Sequence, residues 1–264
     1  MFLTRALTAA VLIAAFLAAL FWLGASAFAG VVAAFAALGG FEWGRLSGLG
    51  PRRAVAYAAS LVLLFAALRG SELVAAVMWV AAGYWMIAVP CWLAAGVTSK
   101  HRVLLLGAGV ATLVPAALAL AELAPLFALL TLATAWVADT AAYLAGRSFG
   151  SHKLAPTISP GKTWEGVAGG AVACLIYAII CAMLNPGLGA RVDGAGWGPY
   201  LAGAALLCAA SVVGDLLESA LKRQAGAKDS GSLLPGHGGV LDRIDSATAV
   251  LPLGFLLVRA AGAA

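Results

Sequence analysis

The residues best equipped for chemistry lie in one run near the C-terminus: Ser219-Ala-Leu-Lys222-Arg223-Gln-Ala-Gly-Ala-Lys228-Asp229-Ser-Gly-Ser-Leu-Leu-Pro235-Gly-His237-Gly238-Gly239-Val-Leu-Asp242-Arg243-Ile-Asp245, preceded by Asp215 and Glu218. On a helix, Asp215, Glu218, Ser219 and Lys222 share a face. Asp242 and Asp245, three apart, project together from the start of the next helix. This predicts two acidic pairs facing each other, hard oxygen ligands of the kind Mg²⁺ takes. Lys222, Arg223, Lys228 and Arg243 supply charge suited to phosphate oxygens. Gly238 and Gly239, beside His237, lack the Cβ that would keep a polyphosphate away from the backbone. Acids for a metal and bases for phosphate on a glycine-rich loop are the equipment of phosphoryl or nucleotidyl transfer. Solvated loop charges explain any single Lys or Arg equally well. They do not explain Asp215, Asp242 and Asp245 together, because a carboxylate at membrane depth costs about 2.5–3.5 kcal/mol on insertion scales.

A second constellation precedes it: Asp139-Thr-Ala-Ala-Tyr143-Leu-Ala-Gly146-Arg147, followed by Ser159-Pro160-Gly161-Lys162-Thr163-Trp164-Glu165-Gly166. Asp139 falls inside an apolar run with Tyr143 one turn further on the same face, and an acid there is a functional candidate by default. Gly161-Lys162-Thr163 has the look of a phosphate-binding P-loop, but Pro156 occupies the upstream glycine position and no strand is expected, which excludes that motif. The expectation is instead a helix starting at Ser159-Pro160, whose free N–H groups and Lys162 hold a phosphate.

These residues must be positioned by a membrane bundle. Of 264 residues 63% are hydrophobic and 10% charged, and the mean hydropathy is +1.01. A soluble domain is about half apolar and a quarter charged, so an ordinary water-soluble enzyme is excluded. Apolar runs near the ~20 residues that cross a bilayer as a helix predict an all-α, polytopic bundle of about nine spans. They lie at about 7–23, 26–41, 54–68, 73–96, 103–121, 123–146, 166–184, 199–217 and 245–262. Alternating segments of a membrane barrel are absent. Arg5, an apolar core and Ala25-Ser26-Ala27 imitate a signal peptide, but a second apolar run follows at once. The 32 glycines suit close helix contact. Cys91, Cys174, Cys181 and Cys208, with no CxxC pair, read as inert buried thiols.

With nine spans, Arg5, Arg45, Arg52, Arg53, Lys100, Arg102, Arg147, Lys153, Lys162, Lys222, Arg223, Lys228 and Arg243 fall on one side, and only Arg69, Arg191 and Arg259 on the other. That bias makes the first side, with the N-terminus, cytoplasmic. The halves differ as well. Residues 1–122 read as transmembrane scaffold, and 123–264 as a catalytic region whose two cytoplasmic loops, 147–165 and 218–244, hold or adjoin seven of the 11 acids.

The 27 residues from Ser219 to Asp245 resemble the signature of the phosphatidate cytidylyltransferases (CDP-diacylglycerol synthases), with no departure at a fixed position. The segment from Ser159 to Gly166 is similar to a second family segment, Gly161 standing where a basic residue is common. The resemblance implies that CTP and phosphatidic acid become CDP-diacylglycerol and pyrophosphate at the cytoplasmic face of an inner or plasma membrane, with no nucleic-acid partner. It implies Mg²⁺ on Asp215, Glu218, Asp242 and Asp245, leaving open a second cation (divalent or K⁺) and a homodimer. Lys222, Arg223, Lys228, Asp229, His237, Arg243 and Asp139 are then expected to serve catalysis, and Ser159, Lys162, Thr163, Ser219, Gly238 and Gly239 to bind substrate. Two other classes fit less well. A CDP-alcohol phosphotransferase needs an Asp-Gly-x-x-Ala-Arg core, and Asp193-Gly194 lacks the Ala-Arg. A cation-coupled transporter usually repeats its broken helices in both halves, whereas here one half is almost free of acids.

Overall fold

The computed structural model describes residues 2–98, 101–192, 194–233 and 238–262; His237, Lys100 and Asp193 lie outside them. The chain order is α1 (Phe2–Trp22), α2 (Ala25–Leu46), α3 (Pro51–Leu68), α4 (Leu73–Gly83), a π-helical turn (Tyr84–Ala88), α5 (Val89–Ala95), α6 (Arg102–Glu122), α7 (Pro125–Phe149), β1 (Lys153–Ala155), β2 (Ser159–Thr163), α8 (Trp164–Leu184), the short α9 (Pro186–Val192), α10 (Trp197–Gln224) and α11 (Leu241–Ala260). α4, the π turn and α5 run on as one helix, Leu73–Ala95.

Among the described residues seven helices are long and apolar enough to cross a membrane: α2, α3, Leu73–Ala95, α6, α7, α8 and α10. α1 contributes a shorter apolar stretch, Ile13–Trp22. α11, though 20 residues long, carries Asp242, Arg243, Asp245 and Arg259. The expected runs therefore all form helices, while hydropathy alone singles out seven of them.

Three local expectations change. First, 147–165 is not simple loop. α7 continues to Phe149, and an antiparallel hairpin pairs Lys153 with Thr163 and Ala155 with Ser159. The register shifts between those pairs, which tolerates Pro160, a residue with no N–H to give a ladder. Second, no helix starts at Ser159-Pro160. Thr163 is the N-cap of α8, its hydroxyl accepting from Gly166 N at 3.1 Å, as a β-region Thr before a helix does well. Third, α10 extends seven residues past the expected end at 217, so Glu218, Ser219, Lys222 and Arg223 are helical rather than in a loop.

Buried residues of both halves join in one core that includes Trp43, Trp85, Leu118, Leu217 and Leu241. α10 and α11 cross tightly at Gly214, where a Cβ would stand 2.7 Å from the Asp245 carbonyl oxygen. That approach brings Asp215 beside Asp245. All four cysteines are free; Cys174 and Cys208 are buried, but Cys91 is exposed on the bundle surface, correcting the expectation for that thiol.

Candidate active site

The C-terminal ends of α2, α7 and α10 and the N-terminal ends of α8 and α11 meet at one end of the bundle. Gln224 Nε2 donates to Leu46 O at 2.9 Å, joining the ends of α10 and α2. The hairpin is fastened to α8 through His152, whose Nδ1 lies 2.6 Å from Glu165 Oε1.

Two polar groups form there. In the first, Asp139 on α7 accepts from Ser211 Oγ of α10 at 3.1 Å and from Ser246 Oγ of α11 at 2.8 Å. One carboxylate thus ties three helices, and it remains accessible at its surface. Asp215 lies near enough to act on it electrostatically, as do Asp245 and Lys162. The hairpin delivers Lys162, whose Nζ is 2.6 Å from Asp215 Oδ2 and 3.5 Å from Val212 O. Ser219 Oγ donates to the other Asp215 oxygen at 3.3 Å.

In the second group Lys222, 13% exposed, bridges Glu218 and Asp242, its Nζ 2.7 Å from Asp242 Oδ1. Asp242 Oδ2 accepts from Ser230 N at 2.9 Å, Gly239 N at 2.8 Å and Ser230 Oγ at 2.9 Å. Gly238 has φ +83°, and a Cβ there would stand 2.7 Å from that same oxygen.

The four carboxylates expected to bind metal have different partners. Lys222 and the loop amides hold Asp242, Asp245 is electrostatically close to Asp215 and Asp139, and Glu218 lies close to both Asp242 and Asp245. Among the described residues no three His, Cys, Asp or Glu side chains are gathered closely enough to enclose a metal ion. The chemistry of the first group still suits a hard divalent cation, since three carboxylates from three helices share the single lysine Lys162. Glu218 is 3% exposed, and apart from its ion pair with Lys222 neither oxygen has a hydrogen-bond partner.

The other expected residues also differ in their surroundings. Thr163 is 4% exposed, its hydroxyl capping α8, and Ser159 sits at the far end of β2. At Gly238 a Cβ would meet Asp242, and at Gly239 it would meet Glu42 and Ser230. Arg223, Lys228, Asp229 and Arg243 are exposed around the rim, with Arg223 Nη1 donating to Ala227 O at 3.1 Å. His237 lies outside the described residues.

Sequence reasoning missed Glu42. This α2 residue, 2% exposed, accepts from Val240 N at 3.0 Å, Leu241 N at 2.9 Å and Ser230 Oγ at 3.0 Å. The signal was an acid at the very end of an apolar run, next to a basic loop, in the half read as scaffold.

Known proteins resemble this chain along nearly its whole length. The profile of a family described as the cytidylyltransferase family matches residues 3–261. A Pseudomonas aeruginosa protein named phosphatidate cytidylyltransferase is 42% identical over 268 residues, covering 98% of this chain and 97% of that one. Proteins of the same name match over shorter stretches. The one from Haemophilus influenzae is 50% identical over 44% of this chain and 40% of its own. The one from Thermotoga maritima is 41% identical over 50% and 48%.

Proposed function

The chain belongs to the cytidylyltransferase family, and from that premise we propose that it is a membrane phosphatidate cytidylyltransferase, joining CTP and phosphatidate to give CDP-diacylglycerol and pyrophosphate. The near full-length likeness to a relative of that name carries the reading. The two lysine–carboxylate groups agree with it, because the reaction brings two polyanions together and its main obstacle is charge.

A phosphate oxygen of the lipid attacks the α-phosphorus of CTP. The new P–O bond forms as the bond to the β-phosphate bridging oxygen breaks, and pyrophosphate leaves with that electron pair. Lys162 and Lys222 come from different elements and are each held by carboxylates, which suits them to receive phosphate oxygens without reorganising. Arg223, Lys228 and Arg243 at the rim raise the local concentration of the nucleotide. Asp215 and Asp245, with Asp139 beside them, are the residues that would hold Mg²⁺. Asp242 and Glu218 are assigned instead to orienting Lys222. When bound, the ion would neutralise charge building on the leaving pyrophosphate.

The 13-to-3 distribution of Lys and Arg supports a cytoplasmic site in an inner membrane, where CTP arrives from water and the lipid from the bilayer. The test is a detergent-purified preparation given CTP labelled at the α-phosphate. Label is expected in the chloroform phase with phosphatidate and Mg²⁺, and none with diacylglycerol in place of phosphatidate or with EDTA. Label that stays wholly aqueous with phosphatidate would refute the reading.

A further inference from the structure

α11 begins without a cap of its own: its N-cap is Val240, which has no side-chain acceptor to give. The first N–H groups of a helix need partners, and here they find them on another helix. Glu42 Oε1 takes Val240 N and Oε2 takes Leu241 N, so a carboxylate sits where the helix dipole favours one. The same Oε2 lies 3.0 Å from Ser230 Oγ, whose hydroxyl is also 2.9 Å from Asp242 Oδ2. One hydroxyl with one proton thus links Glu42 to the carboxylate that grips Lys222. The loop backbone is shaped to this acid. A Cβ at Gly231 would stand 2.6 Å from Glu42 Oε1, and one at Gly239 2.6 Å from both oxygens.

We propose that Glu42 is a positioning residue of the transfer site: from the N-terminal half it caps α11 and fixes the loop that orients Asp242 and, through it, Lys222. Gly231 and Gly239 are then required by Glu42 rather than by a substrate phosphate. This rests on the function proposed above, but its geometric part can be tested without activity.

The experiment uses the full chain in detergent as wild type, Glu42→Gln and Ser230→Ala. Turnover and KM for CTP and phosphatidate are measured alongside amide hydrogen exchange. Glutamine keeps the volume but turns an NH₂ donor toward backbone donors. Exchange at 226–233 and 238–242 is expected to quicken in Glu42→Gln while α6 stays as protected as in wild type. Turnover should fall about 10- to 100-fold, the scale of losing a hydrogen bond to a charged group, with KM for phosphatidate within about threefold because Glu42 is buried. Ser230→Ala should follow in the same direction with a smaller loss. Unchanged turnover and loop exchange in folded Glu42→Gln would overturn the proposal, as would protection lost equally throughout the bundle. Should Glu42→Gln not fold, Ser230→Ala decides by the same two readouts. A wild type that cannot convert CTP would sink the functional reading instead, and the exchange pattern would still judge the positioning of the loop.

Discussion

Removing the Lys222 ammonium separates what this residue does for the fold from what it does for the reaction. Its Nζ lies between Glu218 and Asp242, which are 3% and 10% exposed, with the Asp242 contact at 2.7 Å. At that distance and an effective dielectric near 20, a single pair attracts by about 6 kcal/mol before desolvation. Desolvation of the ammonium offsets several kcal/mol of this, so truncating one partner of such a buried group costs about 3–5 kcal/mol net. The two carboxylates left behind are not equal. Asp242 keeps the N–H groups of Ser230 and Gly239 and shares the one hydroxyl proton of Ser230 with Glu42, but Glu218 keeps none. Lys222→Met should therefore lower the thermal midpoint in detergent by about 6–20 °C, taking 2–4 °C per kcal/mol for a chain of this size. Adding Glu218→Gln should recover at least half of that loss by removing the stranded charge, a non-additivity expected of residues in contact. Activity should not follow: both variants should incorporate CTP at least about 100-fold more slowly, since neither offers a cation to phosphate. Fluorescence-detected size exclusion after heating, paired with the chloroform-extraction assay, reads both quantities. A double variant no more stable than Lys222→Met would refute the electrostatic argument, and one that regained activity would refute the role in the reaction.

Three further outcomes follow from the same contacts. Asp215→Asn weakens the hold on Lys162 and removes a carboxylate from the first group; turnover should drop at least about 100-fold and the Mg²⁺ concentration for half-activity should rise, checked by a metal titration. Asp139→Ala removes the acceptor shared by Ser211 and Ser246; a loss of about 2 kcal/mol should appear as a lower thermal midpoint, with Asp139→Asn intermediate. Thr163→Val deletes the cap of α8 and should cost about 1 kcal/mol, whereas Thr163→Ser should match wild type in both melting and turnover.

How much of this was legible beforehand depended on whether the controlling interaction was local. Bilayer thickness sets the length of an apolar run, so each expected run is a helix in the structure. The acids and lysines of the Ser219–Asp245 stretch likewise stood out by type and spacing, since i, i+3 and i+4 neighbours on a helix need no tertiary information. Beyond that reach the sequence was silent or misleading. Ser159-Pro160 reads as a helix start until the hairpin partner Lys153–Ala155 supplies its ladder. Asp242 and Asp245 read as a pair until packing gives them different partners, Lys222 for one and Asp215 for the other. Glu42 reads as a stray acid in scaffold because its partners Ser230, Val240 and Leu241 lie 188 to 199 residues away along the chain. Helix periodicity is written in adjacent residues, but which carboxylate meets which lysine or helix end is decided only when distant helices pack.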